Sequence, residues 1–182
     1  MPILGIMASQ ISGHLWAPAG AYDALATVTV PSAGAASIEF VGIPTGYKHL
    51  QLRGIMRMSS NNDGPTMRFN GDTTTSNYRM HYLQGSGSGT PTSGTIANDF
   101  YAPITMPNTA SVFGGFVIDI LDYGSVVKNK TIRTLEGYDA NGSGYVTFTS
   151  GLWMNSSSAI TSIKMTGTTM QQYSTVSLFG VK

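Results

Sequence analysis

The sequence predicts an all-β protein, a jelly-roll-like β-sandwich carrying an extended apolar N-terminal arm. Three observations lead there. Charged residues are only 10% of the 182, against about a quarter in an average domain, and Gly, Ser and Thr take their place. Short runs rich in β-branched and aromatic residues alternate in polarity and are broken by Gly, Pro, Asn and Asp turns. No stretch carries the period of an amphipathic helix. With 41% hydrophobic residues the chain has enough apolar surface for a core, and its length suits one domain.

The opening MPILGIMASQISGHLW holds no charged side chain. Ala17-Pro18-Ala19 imitates a leader cleavage site, but no Lys or Arg precedes the apolar run, and Gly5, Ser9, Gln10, Ser12, Gly13 and His14 interrupt it. It therefore reads as a mature arm, residues 1–20, ahead of one β-domain, residues 21–182. It is too short and broken to span a bilayer. Exposed contiguous apolar surface invites association, so the arm implies a covering partner. Ile3, Leu4, Ile6, Met7, Ile11, Leu15 and Trp16 are its candidate anchoring residues.

The body begins with Leu25–Val30, rich in β-branched residues, and Ser37–Val41, with Ile38 and Phe40 on one face. His49–Met58 is the clearest strand. Leu50, Leu52, Met56 and Met58 share one parity, while Gln51, Arg53 and Arg57, joined by Ile55, share the other. Gly54 interrupts the apolar face and predicts a bulge or bend there. Thr66–Phe69 is a strand, and Asn70-Gly71 after it is a strong hairpin signal, because both positions tolerate positive φ. Tyr78–Leu83 alternates again. Gly85–Ala97 lacks an apolar period and reads as an exposed, mobile loop. Phe113–Leu121 is nearly continuous in apolar residues and predicts a central strand buried on both faces. Thr131–Gly137, Gly144–Met154, Ile160–Met165 and Ser174–Val181 complete roughly eight to ten strands, the pattern of a sandwich or jelly roll. Asn141-Gly142 marks another tight turn.

The chemistry is sparse. A net charge of +1 gives no electrostatic case for nucleic acid or an anionic membrane, and without cysteine there is no disulfide or thiolate site. Asp119 and Asp122 are the one acidic pair near a strand end. Asp119 reads as the partner of an Arg or Lys on a neighbouring strand, and Asp122 as a turn residue. His14, His49 and His81 show no ligand or triad spacing. Asp63, Asp72 and Asp139 sit in turns that Asp and Asn build for their own reasons. No catalytic residue, metal site or cofactor is assigned, and a non-enzymatic module is expected. Tyr82, Tyr101, Tyr138, Tyr145 and Trp153 either stack on sugar rings of a host glycan or serve a core or subunit interface; the second is favoured.

Several stretches resemble small virion proteins of tailed bacteriophages, including phages of aquatic bacteria. They are Ile3–Ser9, Ala26–Val30, Tyr47–Ile55, Arg68–Asp72, Phe113–Tyr123, Asn141–Tyr145, Ser150–Met154 and Ile160–Lys164. The resemblance weakens over residues 84–112. It implies a structural part of the particle on the outer surface of head or tail, built as a symmetric oligomer. By analogy with small jelly rolls on threefold axes, a homotrimer is expected. The leading expectation is a capsid decoration or cement protein bound to the major capsid protein. The alternative is a tail-associated fibre or adhesin module that contacts tail proteins and a host glycan. The arm would lie across a neighbouring subunit, each large apolar side chain contributing about 1.5–3 kcal/mol before ordering entropy is subtracted.

Overall fold

The structure, a computed structural model, describes residues 20–60, 64–97 and 105–182. The strands are β1 (Tyr22–Thr29), β2 (Ala35–Phe40), β3 (His49–Met56), β4 (Thr66–Phe69), β5 (Tyr78–Gly85), β6 (Thr92–Ala97), β7 (Gly114–Leu121), β8 (Lys130–Asp139), β9 (Gly144–Trp153), β10 (Ile163–Met170) and β11 (Thr175–Val181). One 3₁₀ turn, Thr75–Asn77, precedes β5. An eight-stranded sheet runs β1-β11-β3-β7-β8-β9-β5-β6, and a three-stranded sheet runs β2-β10-β4. All pairings are antiparallel, and the two sheets form a sandwich-like arrangement.

The period-two pattern explains the core. Leu50, Leu52 and Met56 of β3, Phe116, Ile118 and Ile120 of β7, and Ile132 of β8 turn inward. They meet Ile38 and Phe40 of β2, Met67 and Phe69 of β4, and Ile163 and Met165 of β10. The Phe69 ring lies 5.5 Å from Trp153 and 6.2 Å from Tyr78, which joins the small sheet to β9 and β5. Ring contacts of this kind add about 0.5–1.5 kcal/mol beyond area burial.

Four strand-level expectations need correction. Gly54 makes no bulge, since β3 keeps unbroken register with β11 and β7. It is glycine because a Cβ there would stand 2.6 Å from the Phe116 ring and 2.6 Å from the Thr175 carbonyl oxygen. The irregularity in this sheet lies in β1, between Ala24 and Ala26. Part of the supposed loop 85–97 is edge strand β6, held by the open side of β5, with Gly94 leaving room for the Tyr82 ring. β7 is central but buried on one face only, with Val117 and Leu121 half-exposed on the other. Asn70-Gly71 does form a turn, at φ 52° and 66°, yet it joins no hairpin, because β4 pairs with β10 in the other sheet. The Asn70 side chain instead accepts the Thr161 and Ser162 backbone N–H groups at 2.8 and 3.1 Å. Asn141-Gly142 closes the β8–β9 hairpin as expected, with both residues at positive φ.

Candidate functional site: the outward face of the large sheet

The face of the large sheet turned away from the small one carries side chains in rows set by register. One row runs Arg53, Val117, Leu135, Phe148, Leu83 across β3, β7, β8, β9 and β5. Two residues along the same strands, the next row runs Ile55, Gly115, Gly137, Val146, Gly85. Leu83, Leu135 and Phe148 of the first row and Ile55 and Val146 of the second are between 48% and 56% exposed, so the first row is an apolar ridge within a contiguous apolar patch in water. Scattered apolar residues on a surface mean little, but a connected patch marks an interaction site. Above Gly115 and Gly85 a Cβ would meet nothing within 4 Å, so those places form an open furrow beside the ridge.

A polar row flanks the ridge on its other side: Gln51, Asp119, Arg133, Ser150 and His81. Gln51 Nε2 donates to Asp119 Oδ1 at 2.6 Å, and Arg133 Nη2 stands 3.6 Å from Asp119 Oδ2. The expected pairing of Asp119 with a basic residue on a neighbouring strand is therefore present. Arg53 Nε donates to Gln51 Oε1, and its guanidinium lies 4.5 Å from the Tyr22 ring and 5.1 Å from the Phe179 ring.

At the β8–β9 hairpin an open groove of about 550 Å³ is lined by Tyr138, Tyr145, Asp139 and residues 85–88. Tyr138 and Tyr145 face each other edge-on, ring centroids 6.0 Å apart. Just inside lies Glu136. Burial pushes its carboxyl up to about 8, although the Thr105 N–H and the Thr147 hydroxyl favour the charged form. Gln84 Nε2 donates to Thr147 Oγ1 at 3.2 Å and extends the network to β5.

The remaining candidates are dispersed. Ile3, Leu4, Ile6, Met7, Ile11, Leu15, Trp16, His14, Asp63 and Tyr101 lie outside the described residues. His49 Nδ1 accepts the Asp122 N–H at 2.9 Å, and Asp122 pairs with Lys128. His81 points outward from β5, with β7, β8 and β9 lying between its strand and that of His49. Tyr82 is half-buried, and Trp153 belongs to the core. Asp72 accepts the Trp153 indole N–H, the Asn77 amide and the Thr74 N–H at 2.8, 2.8 and 2.9 Å. Among the described residues no group of three or more His, Cys, Asp or Glu is placed to hold a metal ion. No helix among them is long and apolar enough to cross a membrane.

Sequence reasoning missed the ridge, Glu136 and Lys130. Lys130 is fully buried, its ammonium donating to the Asn155 and Ser158 carbonyls near the Trp153 ring. For the ridge a signal existed: Leu135 and Phe148 sit on the parity opposite Thr134, Thr147 and Thr149, so apolar residues point out where polar ones point in.

No family model matches the chain, and no curated protein does. Among solved structures, one of a protein of unknown function from Shewanella oneidensis MR-1 aligns over 89% of this chain and 76% of its own, at 11% identity and a TM-score of 0.22. A likeness of that size carries no argument.

Proposed function

We propose that this chain is a structural subunit of a tailed-phage virion, a capsid decoration or cement protein anchored by its apolar arm, residues 1–20. The observation that carries the reading is the apolar ridge on the outward face of an otherwise well-partitioned sandwich. Leu83, Leu135 and Phe148 occupy positions where a free-standing sheet places polar residues. Such a face supports a working life against other subunits. The charge-poor composition agrees, since charge is what keeps monomers apart. The jelly-roll reading is supported by strand order. β1-β11-β3-β7 and β2-β10-β4 interleave the first and last strands in the way of nested Greek keys.

The test is imaging of purified particles at side-chain resolution, with a copy count. Hundreds of copies on the head support the decoration role, and absence from the particle overturns it. The Tyr138–Tyr145 groove favours a second reading, a tail-associated adhesin module that takes a host glycan. A few copies on the tail, together with glycan binding that Tyr145→Ala abolishes, would select it.

A further inference from the structure

We infer that the outward face of the large sheet pairs with the same face of a second copy, as a two-fold dimer in which the ridge of each copy fills the glycine furrow of the other. The inference rests on reading that face as a subunit interface, but not on a virion location.

Ridge and furrow are neighbouring rows of the same strands: Val117 beside Gly115 on β7, Leu135 beside Gly137 on β8, Leu83 beside Gly85 on β5. A two-fold axis lying between the rows and running across the strands turns one copy over onto the other. It places each row of one copy against its neighbouring row in the partner. Val117 then faces the partner's Gly115 and Leu83 the partner's Gly85, both open places, while Leu135 faces the partner's Gly137, which Val146 overhangs, and Phe148 packs against the partner's Val146. The fit is self-complementary, as an isologous interface requires. The strands of the two sheets stay close to aligned, which is one of the ordinary sheet packings.

Charge agrees with shape. The same axis sets the row beyond the ridge against the row beyond the furrow. On β8 that brings Arg133 opposite the partner's Asp139, both exposed. Asp119, in the Arg133 row, comes opposite the partner's Phe113. The Arg57 guanidinium lies 5.8 Å from that ring. By symmetry each contact occurs twice. The footprint is also adequate. Five strands about 4.8 Å apart and four rows about 6.8 Å apart cover roughly 650 Å² per copy, within the range of standard stable interfaces.

The experiment is sedimentation of the full chain at micromolar concentration, with two variants that attack the interface differently. Leu135→Glu puts a charge on the ridge. Gly115→Arg fills the furrow at a site where a Cβ meets nothing within 4 Å in the single chain, so the monomer keeps its fold. The expected result is a dimer for the wild type, twice 19.3 kDa, and a halved mass for both variants with unchanged circular dichroism. A wild-type mass that neither variant alters, a monomer or a trimer included, overturns the pairing. Particle imaging tests the virion reading separately.

Discussion

Two carboxyls inside the sandwich pull stability in opposite directions with pH. Burial pushes the Asp72 carboxyl up, but hydrogen bonds from Asn77, Trp153 and Thr74 outweigh it and hold the group below its ordinary 3.8. A depressed folded pKa gives stability that is complete above the unfolded value and lost as pH falls through the folded one. Asp72→Ala strands the buried Trp153 indole N–H, so we expect a loss of about 1–3 kcal/mol at pH 7 by urea denaturation. Glu136 has the reverse sign. Its folded pKa is raised to about 8, so the folded state holds a proton that the unfolded state releases from 4.5 upward. Stability falls as pH climbs from 4.5 to 8, at up to about 1.4 kcal/mol per pH unit. Glu136→Gln has no such proton to lose. Its urea midpoint is expected to stay flatter than the wild type's between pH 5 and 8.5, and equal slopes would show that Glu136 is not the titrating group.

At the scale of the elements, steric fit decides which glycines matter. Gly54→Ala drives a Cβ into the Phe116 ring and the Thr175 carbonyl on the inner face, and overpacking of this kind costs about 1–3 kcal/mol. Gly115→Ala, one rung away on the outward face of β7, meets open space and should fall within about 0.5 kcal/mol of the wild type. Thermal denaturation of the two variants side by side checks this, and equal losses would refute the assignment of faces. The same contrast shows what the sequence could carry. β3 was legible from alternation, because Leu50, Leu52 and Met56 on one parity meet the core, whereas the buried parity of β8 carries Lys130, Thr134 and Glu136 beside Ile132 and gives no such pattern. β6 was not legible, since an edge strand of Thr, Ser and Gly is held by the β5 backbone and not by its own apolar period. The Asn70-Gly71 turn was legible as a turn but not as a link between sheets. Which strand β4 pairs with depends on β10, about a hundred residues later. The ridge was hidden for a related reason. Apolar residues on both parities of β7 look the same whether a second layer covers the outer face or leaves it bare.

For the whole molecule the question is how the proposed arm and the body would divide their work. Among the described residues every strand of both sheets lies between Tyr22 and Val181, and β1 is tied to β11 along its length. The described body thus has a core of its own, drawn from both sheets. We therefore expect that deleting residues 2–16 leaves a soluble, cooperatively folded β-domain that no longer incorporates into particles. The outward face remains in such a truncation, so pairing between bodies should persist while anchoring is lost. On the proposed reading the two functions separate because they would reside on different parts of the chain. A symmetric pair carrying two arms would hold its target with an avidity well beyond one arm's affinity, as long as both arms reach their sites together. Circular dichroism, sedimentation and a particle-binding assay on the truncated chain read the three outcomes independently. If the truncation unfolds, the opening segment belongs to the core and the anchoring role fails. If it folds and still decorates particles, the body alone makes the contact, and the ridge becomes the surface to examine on the shell.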